Sequence, residues 1–278
     1  IRGFDVKSTK VKIICLFFVA VCILFAIIAM FPAIWVFLSG FKDLKELTRE
    51  ATLFPKSFNF SGFKETWDKL NFGLYYKNSF IMVIGSVICA IIFNGILAYG
   101  LAILKPKGYQ IVNGLVMWSL LIPATTSVVA LFVNINRIGL NKSFIPLWLA
   151  YGANAFWVVL FKEFFEGLPP ELIEAARLDG CNVVQVFYKI VLPLSKPIIM
   201  VIVIFAVTAA WSDFLPYLIL NGSGKETVMV KLYTYSTSRT TAIDMIRAIF
   251  FSLIPPTILF SIFQKQITDG AAGGAVKG

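Results

Sequence analysis

The chain reads as an all-α polytopic membrane protein with six transmembrane helices, and three observations carry that reading. Of its 278 residues 58% are hydrophobic and 14% charged, with 27 phenylalanines and a mean hydropathy of +0.82. That is far too apolar for a water-soluble domain. The apolar residues fall into six runs, nearly free of charge, each close to the roughly 20 residues needed to cross a bilayer's hydrocarbon core. Short segments rich in charge, proline and glycine separate the runs.

Segment 1–12 carries Arg2, Lys7, Lys10 and Lys12 and is expected in the cytoplasm. Ile13 to Leu38 is uncharged and reads as a first span, kinked near Pro32. Residues 40–77 are charged, aromatic and rich in turn residues, and are expected outside. Within them Ser61 is placed to cap a short amphipathic helix with Phe63, Trp67 and Leu70 opposite Lys64, Asp68 and Lys69. That helix fits either a docking surface for an external protein or an aromatic anchor at the membrane surface.

Asn78 to Leu104 and Gly108 to Asn136 are the second and third spans, joined by the basic turn Lys105-Pro106-Lys107. Gly85, Cys89, Asn94, Gly95, Ala98 and Ala102 leave room for close helix packing. Ser143 to Phe161 is a fourth span, and Pro197 to about Leu220 a fifth, interrupted only by Asp213. A sixth runs from Arg247 or Ala248 to about Lys265, bent at Pro255-Pro256. The transmembrane domain is thus 13–268, followed by a tail, 269–278. Six spans put both termini on one side, but the 25 lysines and arginines divide almost evenly between the two faces, so they do not set the orientation.

The same residues weigh against several chemistries. With no histidine, the usual general base and the commonest metal ligand are missing. Cys15, Cys22, Cys89 and Cys181 show no paired spacing, so neither a disulfide framework nor a metal site is indicated. The net charge of +10 is scattered over loops rather than gathered in a block, which fits loops beside anionic lipid better than nucleic acid. The stretch Asn221 to Thr227 looks like a phosphate loop only superficially, because Glu226 stands where Ser or Thr must follow the lysine.

The longest acidic, polar stretch between two strongly apolar runs is Glu174 to Pro193. Pro169 and Pro170 suit a helix start, and Glu171 and Glu174 place negative charge near the positive end of the helix dipole. Gly180 supplies the left-handed geometry that ends a helix. A second run, Val183 to Val191, has apolar residues at helical spacing and is expected to stop at Pro193. Two short helices joined at a glycine are predicted; periodicity alone leaves a plain polar loop equally open.

Glu174, Ala175, Ala176, Gly180, Ile190, Leu192 and Pro193 stand at the spacing of the EAA signature. The chain thereby resembles the inner-membrane permeases of binding-protein-dependent ABC importers, and the ending Gly273 to Gly278 is similar to that of the sugar-type branch, the smaller maltose-type subunit. The resemblance implies a type I ABC importer permease fold in a prokaryotic inner or plasma membrane. Its EAA loop, 167–196, would be a cytoplasmic coupling helix. Glu171, Glu174, Ala175, Ala176, Asp179, Gly180, Ile190, Leu192 and Pro193 would then couple to the ATPase, with Gly274, Val276, Lys277 and Gly278 of the tail touching it. The implied partners are a homologous permease completing a heterodimeric pore, two ATPase subunits, an extracytoplasmic binding protein and membrane lipid. ATP and Mg would be bound by the ATPase, with no cofactor in this chain and no enzymatic role for it.

A substrate path is expected where polar residues reach membrane depth. Asp213 with Trp211 and Tyr217 forms an aromatic and polar cluster suited to a sugar ring, while Asn94 and Trp118 are weaker candidates. Asp213 is equally well placed to pair with a loop lysine. Two other functions stay open: a permease for another cargo such as glycerol phosphate, and an autonomous secondary transporter, which would need inverted repeats and a mid-membrane ion-coupling carboxylate.

Overall fold

A computed structural model describes residues 9–50, 52–238 and 240–275, and every regular element among them is a helix. The chain divides into two compact units, Ile1–Leu70 with Tyr235–Leu253, and Asn71–Thr234 with Ile254–Gly278.

In the first unit, α1 (Thr9–Ser39) runs through Pro32 and exposes almost its whole apolar surface. The helices α2 (Leu44–Arg49) and α3 (Ser61–Lys69) follow. The expected face of α3 holds: Leu70 is buried, while Lys64, Asp68 and Lys69 are exposed. Ser61 is not its cap; Asn59 takes that role, its Oδ1 accepting from the Gly62 N–H (3.1 Å) and the Ser61 hydroxyl (2.8 Å). Buried Arg247 donates from Nε to the Gly40 carbonyl (2.8 Å) and from Nη1 to the Gly62 carbonyl (3.1 Å), and buried Asp244 accepts from Thr66, Lys69 and Thr241. Buried charges persist only when so partnered.

The second unit is built on α4 (Phe72–Tyr99), which continues as a π-helical turn, Gly100–Leu104. After it come α5 (Tyr109–Ser119), α6 (Val128–Arg137), α7 (Ile145–Tyr151) and α8 (Ala155–Glu166). The next helices are α9 (Pro170–Leu178), α10 (Val183–Val186), α11 (Leu192–Leu194), α12 (Lys196–Ser212) and α13 (Leu215–Leu220). The last two, α14 (Val228–Ser236) and α15 (Ala242–Ala275), each belong partly to both units.

α4 packs on α12, α8 and α7, and its small residues permit it. Ala90, Ala98 and Ala102 are buried among Trp157, Phe161 and Phe165. At Gly85 a Cβ would lie 2.2 Å from the Trp148 ring. Gly85→Ala is therefore expected to destabilise the protein by about 1–3 kcal/mol through overpacking. Gly114→Ala, where nothing lies within 4 Å of the added carbon, is expected to be neutral or slightly stabilising. Thermal unfolding in detergent distinguishes the pair; equal melting temperatures would refute the packing account.

Among the described residues three helices are long and apolar enough to cross a membrane, Thr9–Ser39, Phe72–Leu104 and Ala242–Gln264. Two bent pairs also qualify, Ile145–Tyr151 with Ala155–Glu166 (44°) and Val183–Leu194 with Lys196–Ser212 (78°). The chain is thus an all-helical polytopic membrane protein, with three to five candidate spans among the described residues. The run Gly108 to Asn136 is α5 and α6 with a 3₁₀ turn, Ala124–Ser127, between them, because Pro123 cannot donate to the helical ladder. The fifth run likewise ends as α12 at Ser212 and resumes as α13, with Pro216 in its first turn.

Candidate functional site

The helix α9 begins as its residues dictate, with Pro169 before it, Pro170 in its first turn and Glu171 behind. It ends in a Schellman motif: Gly180 at φ +82° donates to the Arg177 carbonyl (3.0 Å) and Cys181 to the Ala176 carbonyl (3.0 Å). Ile173 and Ala176 face the chain's own core beside Phe165 and Val186. Ala176 is small for internal packing, so the outward edge consists of Glu171, Leu172, Glu174, Ala175, Leu178 and Asp179. Leu178 is 89% exposed.

Behind the turn, Asn182 and Gln185 form a capping box, each side chain accepting from the other's backbone N–H (2.9 Å both). That signature stands in the sequence as Asn followed three residues later by Gln, but the apolar periodicity of Val183 to Val191 drew the reading past it. A second π-helical turn, Phe187–Val191, follows α10. Pro193 does not stop the run, because it sits early in α11, where its missing N–H is harmless. The chain turns instead at buried Ser195, whose hydroxyl donates to the Val191 carbonyl (2.6 Å). Ile190 and Leu192 are half-buried and Pro193 is exposed.

This loop is tied to the core of its unit. The Tyr99 hydroxyl at the end of α4 donates to the Val183 carbonyl (3.1 Å), and its ring packs on Phe187 (5.1 Å). Between α9 and the end of α4 lies a cavity of about 360 Å³, lined by Lys105, Glu166, Pro170, Ile173, Glu174 and Arg177. Its charges of both signs stand beside an apolar floor. Of the tail residues, Gly274 lies within α15, while Val276, Lys277 and Gly278 lie outside the described residues.

The structure sorts the expected path residues differently. Asn94 is fully buried: its Nδ2 donates to the carbonyls of Ala90 (2.8 Å) and Tyr151 (2.9 Å), and its Oδ1 accepts from the Asn154 N–H (2.9 Å). It fills the break between α7 and α8, where the backbone lacks helical partners. Asn154 in turn caps α8 by accepting from Trp157 N–H (3.2 Å). Asp213 sits at the end of α12, half-buried, accepting from the Tyr151 hydroxyl (3.0 Å) and the Leu215 N–H (2.9 Å). Its side-chain partner is thus a tyrosine, absent from the sequence reading because 62 residues separate the two. Trp211 is buried, its ring edge-on to Tyr76 and tilted on Phe80, and it lines a small cavity of about 60 Å³ with Thr208, Pro255 and Pro256. Trp118 on α5 is 74% exposed, and the side chain of Tyr217 lies outside the described residues.

In the segment Asn221 to Thr227, Glu226 is buried and accepts from the Gly222 N–H (2.8 Å). A carboxylate thus holds a backbone group that a phosphate loop would offer to its ligand.

The family model described as "Binding-protein-dependent transport system inner membrane component" matches residues 80–270. The chain is 27% identical to the diacetylchitobiose uptake system permease protein NgcG of Streptomyces coelicolor over 264 residues, 93% of this chain and 87% of the relative. It is 30% identical to the arabinooligosaccharides transport system permease protein AraQ of Halalkalibacterium halodurans over 261 residues, 91% and 93% of the two. To the sulfoquinovosyl glycerol transport system permease protein SmoH of Agrobacterium fabrum it is 30% identical over 254 residues, 90% and 89% of the two. A solved bacterial ABC transporter involved in the import of the acidic polysaccharide alginate shares the fold, with a TM-score of 0.83 at 23% identity, covering 94% of this chain and 99% of that one. With a polytopic helical fold, an EAA loop closed at Gly180 and a family match across most of its length, the chain belongs to the inner membrane components of binding-protein-dependent ABC transport systems.

Proposed function

We propose that the chain is one half of the translocation pore of an importer for oligosaccharides or related glycosides. The observation that carries the cargo class is that the relatives it matches nearly end to end are named for diacetylchitobiose, arabinooligosaccharide and sulfoquinovosyl glycerol transport. A homologous permease completes the pore, two ATPase subunits bind ATP and Mg, and an extracytoplasmic binding protein delivers cargo. In this reading the loop 167–196, segment 1–12 and the tail 269–278 are cytoplasmic, and residues 40–77 lie outside.

The helix α9 is the lever. Closure of the ATPase dimer moves it as a rigid body, because its C-terminal end is closed by the Gly180 turn, its inner face packs on Phe165 and Val186, and Tyr99 links the following helix to α4. Glu174 pairs with a basic group of the ATPase, and Ala175 lets that surface approach closely. Asp213 supplies a hydrogen-bond acceptor for a sugar hydroxyl, held in place by Tyr151.

Uptake of radiolabelled oligosaccharides into vesicles tests this, with the partner permease, binding protein and ATPase present. ATP-dependent uptake is expected, reduced at least about tenfold by Asp213→Ala, since a hydrogen bond to a charged group contributes about 1.5–3 kcal/mol. Uptake by the chain without any ATPase would overturn the reading in favour of a secondary transporter. Uptake of glycerol phosphate and no oligosaccharide would overturn the cargo class.

A further inference from the structure

The first unit carries a set of aromatic side chains outward. Phe54, Phe58 and Phe60 are 68%, 59% and 70% exposed. Their carrier is nonetheless fastened at several points. One buried guanidinium, Arg247, binds the carbonyls of Gly40 and Gly62 and so closes the segment between them at its base. The contact is tight enough that a Cβ on Gly62 would lie 2.3 Å from Arg247 Nη2. Farther out, Glu46 accepts from the Lys56 N–H (3.0 Å), Lys42 donates to the Thr52 carbonyl, and Lys56 pairs with Glu50 (2.6 Å).

Ring contacts set the depth of this segment against α1. Phe37, in the last turn of α1, meets Phe41 edge-on at 5.1 Å. Phe41 is buried beneath Phe58 at 5.2 Å and Phe60 at 5.0 Å. α1 is long and apolar enough to cross the membrane and its apolar run ends at Leu38, so its last turn lies near one membrane interface, with Phe58 and Phe60 one ring contact beyond Phe41 beside it.

We propose that Thr52–Phe60 is a membrane-interface anchor, its three phenylalanines seated at the headgroup and acyl boundary of the leaflet where α1 ends. The chemistry suits lipid. The exposed rings have no polar tip to present to a protein partner, while Lys45 and Arg49 are exposed on the adjoining α2 as cations of the kind headgroup phosphates attract. A binding protein that docks and departs each cycle would leave the rings in water between visits, whereas lipid covers them continuously. The anchor holds the base of the 40–62 segment at a set depth whichever cargo the importer carries.

The test uses the full chain in lipid nanodiscs, with its four cysteines replaced by serine and a fluorophore on Phe54→Cys, Phe58→Cys, Phe60→Cys or Asp68→Cys. Labels at 54, 58 and 60 are expected to be quenched by shallow doxyl lipids at least twofold more than the label at 68, and to resist aqueous iodide. Because Phe54 is 68% exposed, its replacement removes little packing and keeps the test readable if the other two variants fail to fold. Iodide quenching equal to that at 68 would overturn the anchor. Shielding that arises only when a binding protein is added would also overturn it and make the patch a protein-docking surface.

Discussion

Asn94→Leu is expected to destabilise the folded permease by about 2–6 kcal/mol, taking about 1–3 kcal/mol for each buried polar group left without a partner. Two groups are orphaned, the Tyr151 carbonyl and the Asn154 N–H, on the two sides of the break between α7 and α8. Leucine fills the space but can bond neither, and at membrane depth no water replaces the amide. Asn94→Asp keeps an acceptor for Asn154 but sets a buried carboxylate oxygen against the Ala90 and Tyr151 carbonyls, so it should destabilise at least as much as leucine. Melting temperatures of the three proteins in one detergent check the order. A leucine variant that melts with the wild type would show that the break does not depend on this side chain.

Gly180→Pro is expected to abolish ATP-driven uptake while Gly180→Asn retains most of it. The turn needs φ +82°, which proline cannot reach, and proline also deletes the N–H that bonds the Arg177 carbonyl. The disturbance is about 3 kcal/mol or more at the joint between α9 and α10. Asparagine tolerates the left-handed region, and nothing lies within 4 Å of a Cβ at that position. Uptake measured beside ATP hydrolysis separates loss of coupling from loss of protein. Equal uptake by both variants would mean that the geometry of the turn is irrelevant to transport.

What was legible in the sequence was local. Gly180, Pro170 and the amphipathic face of α3 each report on their own few residues, and all three were read correctly in place. Uncharged runs told which residues avoid water but not where a helix inside them breaks. The breaks at Pro123 and between Tyr151 and Asn154 are therefore not marked by those runs, whereas the one at Asp213 coincides with the single charge in its run. Asn94 depends likewise on partners elsewhere in the chain. A polar residue in an apolar run looks available for cargo until the backbone that occupies it is known. Ala176 looked like a contact for a partner because the face of α9 that turns inward is set by Phe165 and Val186, outside that helix.

The central claim is that the outward edge of α9 meets the ATPase, and photocrosslinking tests it most directly. A benzophenone amino acid is placed at Leu178, 89% exposed on that edge, and separately at Trp118, 74% exposed on α5. With the assembled importer, Leu178 is expected to yield an ATPase adduct whose amount changes on adding ATP, and Trp118 none. If the ATPase co-purifies yet Leu178 gives no more adduct than Trp118, α9 is not the coupling element and the account fails.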